Sequence, residues 1–189
     1  MCLAACLFPY SALADGPVEE NKLSGNAQWI LTLDNIISYN YGTGDLYEDY
    51  LERDYNRVSV NSNLVIMADL FITQYITAGL SVTGSMNWWG DHYETVLAGG
   101  PAVSFYFRPG ESLRPFAQLS YRYEFYREYA GAGITREKNS FTAGAGLLCM
   151  VLQNTGIRLG ASLSYNVLSV HNSVNGCLLC VSAGISFLL

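Results

Sequence analysis

The chain has 189 residues, half of them hydrophobic and only 14% charged, with 16 acidic against 10 basic side chains and a formal net charge of −6. That length suits one domain, and the acidic balance offers no basic footprint, which excludes nucleic acid as a partner. Beyond the first fourteen residues no run approaches the roughly 18 uninterrupted apolar residues of a membrane helix, so an apolar content spread in alternation points to strands.

Residues 1–14 are apolar and end Ser11-Ala12-Leu13-Ala14, a small-residue cleavage pattern followed by the polar stretch from Asp15 to Asn26. This reads as a cleaved secretory signal peptide, then a periplasmic linker over 15–26. The usual basic flank is missing, which points to a start a few residues upstream. Leu3-Ala4-Ala5-Cys6 resembles a lipobox, but the apolar run continues past Cys6 through Phe8 and Leu13, favouring cleavage after Ala14.

From residue 27 onward turn-forming clusters separate alternating segments at Ala27–Tyr39, Arg57–Met67, Tyr75–Trp88, Thr95–Phe107, Pro115–Arg127, Asn139–Val151, Gly156–Val170 and Cys177–Leu189. Each has about the 9–11 residues of a tilted membrane strand, or more. The fifth sets Ala117, Leu119, Tyr121, Tyr123 and Phe125 against Gln118, Ser120, Arg122, Glu124 and Tyr126. The sixth sets Phe141, Ala143, Ala145, Leu147, Cys149 and Val151 against Ser140, Thr142, Gly144 and Gly146, whose glycines make room in a crowded interior. The seventh sets Ile157, Leu159, Ala161 and Leu163 against Arg158, Gly160, Ser162 and Ser164.

Alternation alone leaves open which face is inside, since a soluble lipocalin-like barrel would bury the apolar set. Three features favour lipid outside. The signal peptide is one, and the closing strand Val181–Leu189, apolar on one face and small on the other, is the second. Aromatics near segment ends, Trp29, Tyr39, Tyr41, Trp88, Trp89 and Tyr106, placed as interface girdles would be, are the third.

Connections alternate in length. Short ones fall at Asp69–Gln74, Arg108–Glu111 and Gln153–Thr155; longer polar ones fall at Asn40–Asn56, Asn87–Glu94, Glu128–Lys138 and Ser169–Gly176. Outer-membrane barrels have short periplasmic turns and longer outside loops, so both termini are expected in the periplasm. The expectation is an all-β, eight-stranded, antiparallel, up-and-down transmembrane β-barrel over 27–189, in the outer membrane of a Gram-negative bacterium.

Gly99-Gly100-Pro101-Ala102-Val103-Ser104-Phe105-Tyr106-Phe107, the turn after it and Arg114-Pro115-Phe116-Ala117 resemble the bacterial outer-membrane β-barrel family of small OmpX- and OmpA-like proteins, as do Ala143-Gly144-Ala145-Gly146 and Gly184-Ile185-Ser186-Phe187. The likeness covers nearly all of 27–189. It implies lipid and lipopolysaccharide as surroundings, and the barrel-assembly machinery as a partner in biogenesis. The Leu-Leu terminus departs from the family's usual aromatic ending. Such proteins serve in adhesion, resistance to host defence, anchoring, narrow pores and lipid modification, and fold does not select among them.

The charges expected inside are Asp34, Arg122, Glu124 and Arg158, which must pair or meet water in so narrow an interior. They read either as a polar core that fixes strand register or as a gate on a narrow water path. In the first outer loop, Tyr47, Tyr50 and Tyr55 with Tyr41 form a recognition surface or sit at the membrane interface. Asp45, Glu48, Asp49, Glu52 and Asp54 beside them lack the spacing of a calcium loop and read as a solvated acidic loop, with no metal site.

His171 and Ser173 give a superficial likeness to lipid A deacylases, but no acidic residue follows to orient the His. Cys177 and Cys180 lie on opposite faces of a strand roughly 10 Å apart, too far for a disulfide. The reading is therefore a non-enzymatic protein without cofactor, structural or surface-interacting through its outer loops, where a host or envelope ligand would bind. A narrow channel is the alternative, and a lipid-modifying enzyme comes third.

Overall fold

The computed structural model describes residues 28–46, 57–60, 64–89, 92–107, 111–129, 134–169 and 174–189. All regular structure in them is strand: β1 (Trp29–Thr43), β2 (Arg57–Val60), β3 (Leu64–Phe71), β4 (Ile76–Trp89), β5 (His92–Tyr106), β6 (Leu113–Tyr129), β7 (Ile134–Leu152), β8 (Thr155–Ser169) and β9 (Val174–Leu188). β2 and β3 both pair with β1, at its outer and inner lengths, and together they make one stave. Each later strand pairs antiparallel with the next, and β9 returns to β1. The result is a closed barrel of eight staves with all its pairings antiparallel.

Closure is completed at the chain end, where Trp29 and Leu189 exchange N–H···O bonds of 3.2 and 2.8 Å. The termini share their end of the barrel with the tight turns. In the turn over 72–75 the Thr73 hydroxyl oxygen accepts from the amides of Tyr75 and Ile76 at 3.2 and 3.1 Å, a local hydroxyl turn that fixes the β3–β4 reversal. At the opposite end the strands run further than expected. β6 has 17 residues and β7 has 19, so much of the polar stretch Glu128–Lys138 is ladder. Likewise β4 and β5 leave only residues 90–91 between them, where the sequence suggested a loop over Asn87–Glu94.

The two faces fall as the alternation requires. Leu80, Leu97, Leu119, Leu159, Leu163 and Val181 are half or more exposed on the outside, part of a band of large apolar side chains around the barrel. Apolar patches beyond a few hundred Å² are rare on monomers in water, and a closed barrel leaves no backbone group unpaired toward hydrocarbon. The exterior is therefore built for lipid.

Three expectations are corrected. Tyr106, assigned to an outer aromatic girdle, is 1% exposed and points into the barrel; its neighbours Phe105 and Phe107 face outward, in edge contact at 4.9 Å. Lys138, assigned to a loop, is a buried inward residue of β7. The long second outer connection is replaced by strand. The two strand cysteines behave as expected: Cys180 is buried, Cys177 is partly exposed, and both are free thiols.

The interior is layered along the barrel axis. At the terminal end Ile30, Tyr106, Phe116 and Leu148 form an apolar plug, with Phe71 and Met150 against it. At the other end Leu46, Leu168 and Val174 form a second, packed against Leu178. Polar side chains fill the space between.

Candidate functional site: the polar interior

The lower polar layer is built on a distortion of β1. Opposite β9, Leu33 pairs with Ile185 and Ile37 with Ala183, so β1 carries two extra residues across this stretch. Asn35 there adopts φ 58°, a left-handed conformation that Asn tolerates better than most residues. Its amide donates to Asp34 Oδ1 at 2.8 Å. The Asp34 carboxylate faces inward in phase with Ile30 and Thr32, and the bulge beside it supplies the Asn35 amide that fixes it. Gly184 makes the room: a Cβ there would lie 2.4 Å from the Leu33 carbonyl oxygen and 2.8 Å from Asp34 Cα.

Arg158 is the centre of this layer and is 1% exposed. Its Nε lies 3.2 Å from Asp34 Oδ2, and its Nη2 donates to Gln118 Oε1 at 2.8 Å. Ser182 donates to the other Asp34 oxygen at 3.0 Å. The guanidinium also lies over the Phe116 ring at 3.7 Å from the centroid, a cation–π contact strengthened by desolvation. A Cβ on Gly146 would come within 2.7 Å of Phe116 Cζ, and one on Gly160 within 3.6 Å. The small-residue face read from the sequence is thus the notch that seats this ring.

The upper layer centres on Glu124, which accepts from Lys138 Nζ at 2.8 Å and from the Ser140 hydroxyl at 2.7 Å. Ser140 also bonds Asn166, whose side-chain amide donates to the Ser164 carbonyl at 3.3 Å. Arg122 donates from Nη1 to Thr83 Oγ1 at 3.2 Å. Between the layers lies a cavity of about 130 Å³, with Asp34, Arg122, Glu124, Lys138 and Arg158 in its wall.

All four charges selected from the sequence point into this interior. The structure brings Asp34 and Arg158 together as an ion pair. Glu124 is paired with Lys138, a residue the loop assignment had removed from consideration. Lys138 is nonetheless in phase with Ser140, Thr142 and Gly144, and extending that alternation by one step would have found it. Asp69 was missed in the same way: it is 2% exposed and in phase with inward Val65 and Met67. The β1 bulge left no mark in the pattern, because two extra residues restore the phase.

Tyr47, Tyr50 and Tyr55 lie outside the described residues, as do His171, Ser173 and most of the acidic loop. Among the described residues no group of three or more His, Cys, Asp and Glu side chains is placed to hold a metal ion.

No protein-family model matches this chain, and no curated protein sequence matches it. Solved structures do. Neisserial surface protein A superposes with a TM-score of 0.60 at 13% identity, over 86% of this chain and 99% of that one. The N-terminal β-barrel domain of Pseudomonas aeruginosa OprF gives 0.52 at 12% identity, over 87% and 100%. Ail, the attachment invasion locus protein of Yersinia pestis, gives 0.50 at 15% identity, over 86% and 100%. At these identities the likeness is one of architecture: the chain has the fold of the small outer-membrane β-barrels.

Proposed function

We propose that this is a non-enzymatic barrel of a Gram-negative outer membrane, with both termini in the periplasm and its outer end acting as a surface for structural or ligand contacts. The observation that carries this reading is the filled interior. Its two central carboxylates are held by Lys138 and Arg158, and apolar clusters pack inside it toward both ends. A barrel packed this way offers its outside and its rim.

The rim has suitable chemistry. Beyond the apolar band the β6–β7 hairpin carries exposed Phe125, Arg127 and Glu137, with Tyr123 in edge contact with Phe125 at 4.8 Å. Aromatics interleaved with charges of both signs suit recognition surfaces. Residues 44–46 lie at the same end, and the Tyr-rich, acidic stretch of the sequence follows them. Lipopolysaccharide and a host or envelope ligand are the expected partners there, with the barrel-assembly machinery acting in biogenesis. Ail, of the same architecture, has been crystallised with a heparin analogue, a precedent for ligand contact by such a barrel.

Exchanging residues 44–56 and 128–137 for short Gly-Ser turns tests the proposal. Binding to envelope or host components is expected to vanish while the barrel stays folded in outer-membrane fractions. Binding retained by the exchanged protein would overturn it. The channel reading keeps one observation in its favour, the cavity between the layers, and predicts stepwise bilayer currents that change in Glu124→Gln.

A further inference from the structure

We infer that the interior cavity is a binding site for a small monovalent inorganic anion of chloride size, held by Arg122. The charged groups in the cavity wall are three cations, Arg122, Lys138 and Arg158, and two carboxylates, Asp34 and Glu124. Each carboxylate is already committed: Asp34 to Arg158 at 3.2 Å, Glu124 to Lys138 at 2.8 Å. Asp69, the remaining interior carboxylate, is not in the cavity wall; it sits on β3 opposite Ile30 of the terminal-end plug and interacts with Arg158. The three interior cations are matched in number by three carboxylates, but among the described residues none of these carboxylates forms an ion pair with Arg122, on which Glu124 acts only at longer range.

Arg122 has no ion pair among the described residues. Its one hydrogen bond is from Nη1 to Thr83, and its Nε is buried without an acceptor. Arg122 is half-buried, its Nε turned away from solvent, and a guanidinium is a rigid, weakly hydrated array of donors suited to anions. Hydroxyls of Ser120 and Ser162 line the same cavity and can donate to an anion. A single water needs about 10–15 Å³ of such space, so about 130 Å³ takes a monatomic anion with a few waters. The apolar clusters at both ends would hold the ion inside the folded barrel.

The test folds the full chain into short-chain phosphatidylcholine vesicles and measures urea unfolding in sodium chloride and in sodium gluconate at equal ionic strength, gluconate being too bulky for the cavity. Chloride is expected to favour the folded state, by about elevenfold in the folding equilibrium at ten times its dissociation constant. Arg122→Met should abolish the difference and Arg122→Lys should keep part of it. Crystals of the unmutated barrel grown in bromide should show an anomalous peak beside Arg122 Nε, a readout that stands if Arg122→Met fails to fold. Equal stability in both salts, a chloride effect that survives Arg122→Met, or a cavity without bromide would each overturn the inference and leave Arg122 solvated by water alone.

Discussion

Lys138 and Glu124 are both under a tenth exposed, so each is the other's main compensation for lost hydration. Removing one partner of a buried pair typically costs about 3–5 kcal/mol, whereas replacing both is often nearly neutral. Lys138→Met should therefore lower the unfolding free energy in vesicles by about 3 kcal/mol. Glu124→Gln combined with Lys138→Met should recover most of that loss; equal losses in the single and double variants would show that the pair contributes through packing alone. At Gly184 the argument is steric. A methyl group 2.4 Å from the Leu33 carbonyl oxygen forces the two strands apart, and Gly184→Ala should cost about 1–3 kcal/mol in the same assay.

Strands were legible wherever they cross the apolar band, because there the two sides of each strand differ in chemistry. Above the band both sides are polar and the period-2 signal fades, so β7 begins at Ile134 where the pattern suggested Asn139. What extends it is the hydrogen-bonded ladder with β6, from Leu113↔Cys149 out to Glu128↔Ile134, a property of two strands together. The β1 bulge belongs to the same scale. Asn35 is held at φ 58°, where a β-branched side chain is penalised by about 1–2 kcal/mol and glycine is not. Asn35→Val should destabilise the barrel by about that amount, while Asn35→Gly should fold normally. If instead Asn35→Val unfolds no more easily in urea, the bulge has a relaxed alternative and Asp34 is not held by it.

For the whole molecule, closure has consequences that no single strand carries. A barrel without free edges resists cold detergent, so the protein should migrate as a compact band before boiling and shift on heating. The two apolar ends should make the unmutated barrel silent in planar bilayers. Phe116→Ala with Leu168→Ala, which thins both, should produce small single-channel steps that neither change produces alone. Steps of full size from the unmutated protein would show that the interior opens as a unit and would revive the channel reading.

The alternation of apolar and small side chains by itself determined strand, membrane-facing exterior and inward charges, because a period of two is written locally and lipid and interior reward opposite chemistries. It also placed Asp34, Arg122, Glu124 and Arg158 on the inner face. Pairing is another matter. Asp34 meets Arg158 across 124 positions of sequence, and Glu124 takes Lys138 in place of the nearer Arg122, choices set by strand register, by a bulge that preserves phase and by glycine notches that seat Phe116. Only closure of the barrel brings those residues within reach, and only then does it emerge that, among the described residues, Arg122 has no ion-paired carboxylate.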